Sequence, residues 1–209
     1  MKNRKTYYLM ILDRSGSMSD CIQETISGFN EQIQMINDLQ RRNSDQEFYI
    51  SLTTFNHQIE HNFREVKVEH VKQLTTNTYI PDGGTALLDA IGEGVINLKA
   101  SRGHEFDNDE ATAVVVILTD GHENSSRIFK LDAIRMMIRE LEATNNWTFS
   151  FMGATADAID VAGSMNIRRQ NSVFYDKSDI KQSISNLAES MEKYADEKAK
   201  GKKPKDFLK

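Results

Sequence analysis

The chain has 209 residues, 39% of them apolar and 27% charged, with 10 Phe, 6 Tyr, one Trp and only 2 Pro. This composition excludes a disordered or low-complexity body and suits one domain with a sizeable core. The formal net charge of −5 is uneven: Lys198 to Lys209 holds six Lys and one Asp, leaving 20 basic and 30 acidic groups elsewhere, so the body stands at −10, repels a phosphate backbone and argues against nucleic acid as a partner.

From the amino end, Met1 to Thr6 is basic, but the apolar stretch behind it stops at Asp13, short of the roughly 7 to 15 residues of a signal-peptide core. The longest apolar runs, Tyr7 to Leu12 and Ala113 to Leu118, have six residues each, against the roughly 20 that cross a bilayer. A single Cys21 offers no internal disulfide. A cytoplasmic protein without a membrane segment is expected.

Thr6 to Leu12 (TYYLMIL) is almost wholly apolar, the pattern of a central strand covered on both faces. Ile22, Ile26, Phe29, Ile33, Ile36 and Leu39 then recur at steps of three and four, one side of a long amphipathic helix. Glu47 to Phe55 and Gln58 to Val68 read as strands joined only by Asn56 and His57, a link that permits a hairpin and forbids a parallel crossover. The second strand carries Glu60, His61, Arg64, Glu65 and Lys67, a charge density suited to a sheet edge. A turn at Pro81-Asp82-Gly83-Gly84 leads into a helix with Leu88, Ile91, Val95 and Leu98 on one face. Ala113 to Thr119 is the second fully apolar strand. Beyond it come a helix with Leu131, Ile134, Ile138 and Leu141, a strand at Trp147 to Met152, a short helix near Ala156 to Val161, a strand near Ser172 to Tyr175, and a helix with Ile180, Ile184, Leu187, Met191 and Tyr194. This alternation predicts an α/β fold: a doubly wound, mainly parallel six-stranded sheet with one antiparallel edge strand and helices on both faces. The chain divides into a domain at 1–197 and a basic tail at 198–209, read as a solvated, disordered end.

In an open sheet of this kind, ligands bind beyond the carboxyl ends of the strands where the strand order reverses. The two most apolar strands run into Asp13-Arg14-Ser15-Gly16-Ser17 and Thr119-Asp120-Gly121. If they are neighbours, both carboxylates face one crevice, where they repel unless a cation sits between them. Ser15, Ser17 and Thr85 add three hydroxyls, though Thr85 has an alternative use as a helix cap, and Ser15 and Ser17 could likewise cap the following helix. Two carboxylates and three hydroxyls, without thiolate or imidazole, favour Mg2+, with Mn2+ or Ca2+ as rivals.

These residues resemble the von Willebrand factor type A domain and its metal-ion-dependent adhesion site. That motif, Asp-x-Ser-x-Ser after the first strand with a Thr and an Asp from two later loops, is matched by Asp13, Ser15, Ser17, Thr85 and Asp120, and the flanking DRSGSM, GGTALLDAI and ILTDG read like its bacterial branch. The resemblance covers about Thr6 to Tyr194. It implies a Rossmann-like sheet of order 3-2-1-4-5-6 with the third strand antiparallel. It also implies that Ser15, Ser17 and Thr85 touch the metal while Asp13 and Asp120 hold metal-bound water and orient hydroxyls. Function is then metal-dependent binding of another protein, whose Asp or Glu completes the coordination. Bacterial relatives work beside ring-shaped ATPases, so a separate ATPase is one candidate partner.

Two other functions compete with this one. A metal-dependent phosphohydrolase also places an Asp after the first strand, but needs a second acid two residues later, where Ser15 stands. A metal-free scaffold would keep the motif without its ion. No G-x-x-x-x-G-K-[ST] or G-x-S-x-G occurs, which excludes a P-loop ATPase and a nucleophile-elbow serine hydrolase. His122 and Glu123 read as an exposed loop rim, His57, His61 and His70 as solvated, Cys21 as an ordinary partly buried residue, and Met136 and Met137 as core filling. Gly83 and Gly84 read as residues that let the Thr85 loop approach the ion.

Overall fold

A computed structural model describes residues 5–120, 122–176, 180–199 and 207–208. Six strands, β1 (Lys5–Asp13), β2 (Glu47–Phe55), β3 (Ile59–Lys67), β4 (Ala111–Thr119), β5 (Trp147–Gly153) and β6 (Ser172–Phe174), form one sheet of order β3-β2-β1-β4-β5-β6. All pairings are parallel except β2 with β3. The helices are α1 (Ile22–Arg42), α2 (Leu87–Asp107), α3 (Leu131–Ala143), α4 (Ala158–Ser164) and α5 (Ile180–Ala199), with a short 3-10 turn at Gly16–Cys21 ahead of α1. No described helix is long and apolar enough to cross a membrane.

The unbroken apolar runs of β1 and β4 follow from cores on both faces. Tyr8, Met10, Leu12, Val114, Val116 and Leu118 pack with Ile26, Phe29, Ile33, Ile36 and Leu39 of α1. Their alternate neighbours Tyr7, Leu9, Ile11, Ala113, Val115 and Ile117 pack with Leu87, Ile91, Val95 and Leu98 of α2 and Ile134 and Ile138 of α3. Each such side chain, once fully buried, contributes roughly 1.5–3 kcal/mol, so β1 and β4 are fixed at the centre of the sheet. The charged strand β3 takes the edge and is only partly buried along its length. Its pairing with β2 is irregular at Leu52, and Glu65 there has φ of 45°, the local kink of a bulge.

Several details differ from the sequence reading. The hairpin turn takes three residues, Asn56 to Gln58. Leu131 and Met136 are exposed, at 41% and 53%, and only Met137 of the methionine pair packs against the core. Leu131 opens α3 and precedes its buried stripe. Cys21 is fully buried, its thiol directed to the Met18 carbonyl. Gly121 and most of the basic tail, residues 200–206 and 209, lie outside the described residues. Within that tail Phe207 is not a frayed end: it is 1% exposed, its ring meets Tyr194 edge-on, and its N–H donates to Asn171 Oδ1 at 2.6 Å.

Candidate metal centre

The chain leaves β1 in one direction to reach β2 and returns on its other side as β4, so the reversal of strand order lies at the carboxyl ends of β1 and β4. Asp13 ends β1 and is wholly buried, and Asp120, 7% exposed, follows β4. Asp13 Oδ1 accepts the Ser15 N–H at 2.7 Å, and Oδ2 accepts the Thr119 hydroxyl in a very short bond. Burial pushes the Asp13 carboxyl up to about 6, the Thr119 and Ser15 bonds opposing this and the Asp120 charge adding to it. Ser15 Oγ lies 3.1 Å from Ser17 Oγ, and Ser17 Oγ donates to Asp120 Oδ1 at 2.7 Å. Asp13, Ser15, Ser17 and Asp120 therefore form one continuous hydrogen-bonded set that joins two loops a hundred residues apart in sequence.

The Thr85 loop is pressed against the serine loop by main-chain bonds: Gly16 N–H to the Gly83 carbonyl at 3.0 Å and Asp82 N–H to the Arg14 carbonyl at 2.9 Å. Gly83 has φ of 71°, and a Cβ there would lie 2.1 Å from His57 Nδ1, while one on Gly84 would lie 2.3 Å from Ser125 Oγ. At Gly83 the left-handed backbone itself favours glycine, and at both positions a side chain would displace the His57 or Ser125 side chain. Thr85 itself is buried, its N–H held by Asn124 Oδ1 at 2.9 Å and its carbonyl by the N–H groups of Asn124 and Ser125.

The capping alternatives fall away. The 3-10 turn after Ser15 makes no side-chain cap bond with it, and Ser19 bonds back to the Gly16 carbonyl. Helix α2 begins after Ala86, with no cap from Thr85. Its first N–H groups are taken across the loop after β4, by Glu123 Oε2 on Leu88 and Ser126 Oγ on Asp89, both at 3.0 Å. Glu123 is thus no rim residue: it also accepts from the N–H groups of Ser125 and Ser126, as a carboxylate at a helix amino end should. Asp89 returns the favour by accepting from the N–H groups of Arg127, Ile128 and Phe129. The bonds that tie α2 to this loop have no signal in sequence, because their partners lie more than 30 residues apart.

His122 is exposed, with Asp157 at 3.7 Å. His57 and His70 are exposed as read. His61 is not: it lies between Thr53 Oγ1 and Asn97 Nδ2, both at 3.0 Å, with Glu93 at 3.4 Å, and burial, then Arg64, lowers its pKa.

Among the described residues no group of three or more His, Cys, Asp or Glu converges on a metal position. A site here has two carboxylates supplemented by hydroxyls, an all-oxygen donor set that fits a hard divalent cation and not a thiolate-seeking one.

A six-stranded, doubly wound sheet with one antiparallel edge strand and flanking helices defines an α/β domain of Rossmann-like fold. More particularly, residues 9–190 match the von Willebrand factor type A domain, and the chain belongs to that family. Solved structures with this fold include VWA2, an ArnB paralog from Sulfolobus acidocaldarius, at 20% identity and a TM-score of 0.54 over 90% of this chain and 45% of that one. Manganese-loaded TRAP protein from Plasmodium vivax aligns at 18% identity and 0.57 over 88% and 73%. Proximal thread matrix protein 1 from the mussel byssus, with a zinc-occupied MIDAS motif, aligns at 12% and 0.50 over 88% and 47%. At these identities the likeness is one of fold, and this chain spans less than half the length of the Sulfolobus and mussel chains. No curated protein matches the sequence.

Proposed function

We propose that this protein is a metal-dependent protein-binding module, in which Ser15, Ser17 and Thr85 hold Mg2+ and Asp13 and Asp120 orient the hydroxyls and metal-bound water around it. The observation that carries this reading is the bonded set Asp13, Ser15, Ser17 and Asp120, which gathers oxygen donors from the ends of two adjacent strands. A bound divalent ion supplies an electrophilic position for a carboxylate from another protein. The chain's own part is to hold neutral hydroxyls toward that position and keep its two acids at its back, so that the charge of the ion is not fully cancelled. Manganese in the Plasmodium protein and zinc in the mussel protein support a divalent ion on this fold. The partner is a protein presenting Asp or Glu, with a separate ATPase as one candidate. The single, buried Cys21 suits a cytoplasmic setting.

With free Mg2+ at ten times its dissociation constant, linkage adds roughly 1.4 kcal/mol, and the melting temperature rises by roughly 3 to 6 °C for a domain of this size. Thermal melts in Mg2+ and in EDTA read this directly. Identical melts would turn the motif into a metal-free scaffold. A pull-down repeated with Mg2+ and EDTA then identifies the partner. Phosphoester turnover that Asp13→Asn abolishes would make the protein an enzyme instead.

A further inference from the structure

The strand ladder runs out where the candidate site begins. Leu12 is the last residue of β1 paired to β4, and Asp13 pairs only with Phe55 on the other side. A buried carbonyl at such a place needs a donor from elsewhere. Asp13 gets it from Tyr79, whose hydroxyl donates to the Asp13 carbonyl oxygen at 2.6 Å. At the end of β4, the Thr119 carbonyl accepts the Ala154 N–H at 3.1 Å and also the Tyr175 hydroxyl at 3.3 Å. These two carbonyls belong to the peptide planes that follow Asp13 and precede Asp120. Each plane's tilt sets the direction from which a carboxylate leaves the backbone.

Both tyrosines are built in. Tyr79 is 1% and Tyr175 2% exposed. The Tyr79 N–H is tied to the Thr75 carbonyl at 2.9 Å and the Tyr175 N–H to the Gly153 carbonyl at 3.0 Å. Burial first, then the Asp13 charge, raises the Tyr79 hydroxyl far above its ordinary pKa, and burial, then Cys21 and Asp120, does the same for Tyr175. Each stays an O–H donor throughout the working range of pH. Tyr79 lies on the segment leading to Thr85, and Tyr175 between β6 and α5, so the two reach the paired strand ends from separate parts of the chain.

We propose that Tyr79 and Tyr175 are positioning residues of the ion site: their hydroxyls fix the main-chain planes at Asp13 and Asp120 and so hold the two carboxylates and the serine loop in an ion-ready geometry. This rests on the reading of the site as a divalent-cation site and adds two residues that are absent from its motif. A buried hydroxyl with the same structural weight stands at the far end of β1, where Tyr7 donates to Glu105 Oε2 at 2.8 Å. It lies six residues, about 20 Å, from Asp13.

The test is Mn2+ binding by isothermal titration calorimetry on the full chain, beside metal-free melting curves, for wild type, Tyr79→Phe, Tyr175→Phe and Tyr7→Phe. Tyr79→Phe is expected to weaken Mn2+ binding by about 5- to 10-fold, and Tyr175→Phe, with the longer bond, by about 2- to 4-fold, in line with the loss of one buried hydrogen bond. Tyr7→Phe is expected to lower the metal-free melting temperature at least as much as either and leave Mn2+ affinity within twofold of wild type. That split separates positioning from general support of the fold. Wild type that binds Mn2+ while both site variants bind it equally well overturns this inference alone. Wild type that binds no Mn2+ overturns the metal reading and this inference with it. If Tyr79→Phe fails to fold, the Tyr175→Phe comparison decides.

Discussion

The two ends of β1 handle a buried acid in opposite ways. At the amino end, Glu105 of α2 is 4% exposed, and its charge is met by the Tyr7 hydroxyl at 2.8 Å, Lys5 Nζ at 3.3 Å and Arg102 at 3.6 Å. At the carboxyl end, Asp13 is more deeply buried, yet what bears on it is a Thr hydroxyl, the N–H and hydroxyl of Ser15 and the negative Asp120. One end is electrostatically closed by the chain's own cations. The other is assembled from neutral donors around two acids, and the divalent ion proposed above is what would balance it. A buried carboxylate inside a completed ion pair is architecture, whereas one surrounded by hydroxyls and another acid fits the ion site proposed above.

The sharpest way to break this contrast is to neutralise Asp13. Burial pushes its carboxyl up to about 6 in the fold, from the ordinary 3.8. The group therefore favours folding fully below about pH 4, and that contribution is lost as pH rises through about 6. In EDTA, Asp13→Asn is expected to gain stability over wild type as pH goes from 4 to 7, by at most about 3 kcal/mol, and to lose the response to Mg2+. Urea unfolding at several pH values measures both. A pH-independent difference would mean that the charge at Asp13 is already compensated.

Next in size is Glu105→Ala, which leaves the Tyr7 hydroxyl without its acceptor and removes one ion-pair partner from Lys5 and from Arg102, and is expected to cost about 2 kcal/mol. The Mg2+ response should survive intact, since the substitution lies at the other end of the sheet. The smallest effect is at Ser17, which is exposed and bonded to Ser15 and Asp120. Ser17→Ala is expected to shift metal-free stability by less than about 0.5 kcal/mol while reducing the Mg2+-induced melting shift. A large loss of metal-free stability would make Ser17 a structural link between the loops.

Much of this was legible before any coordinates. Strands apolar on both faces are central, the short gap after β2 makes a hairpin, and the match of Asp13, Ser15, Ser17, Thr85 and Asp120 to the family motif implies that three loops converge. The residues that brace the site were not legible. Thr119 looks like the last residue of an apolar strand, Tyr79 and Tyr175 like core aromatics, and Glu123 and Asp89 like loop and helix surface. Thr119, Tyr79, Tyr175 and Asp89 act on partners remote in sequence, as Glu123 does in its bond to Leu88, and no local period or turn chemistry reports such a pairing. Helical spacing likewise gave Leu131 to the core although it sits at the mouth of its helix, and charge density gave His61 to solvent although β3 leans it onto α2.

The mutual grip of Asp89 and Glu123 has a practical consequence. The opening turn of α2 and the segment from Glu123 to Phe129 each supply the other's missing acceptors, so they make up a single piece of masonry. Thr85 is bonded into that block through Asn124 and Ser125, and Asp120 precedes it in the chain. Anyone grafting a new specificity onto this scaffold must transplant both stretches together, because an exchanged loop without its matching helix start would arrive with its carboxylates facing strangers.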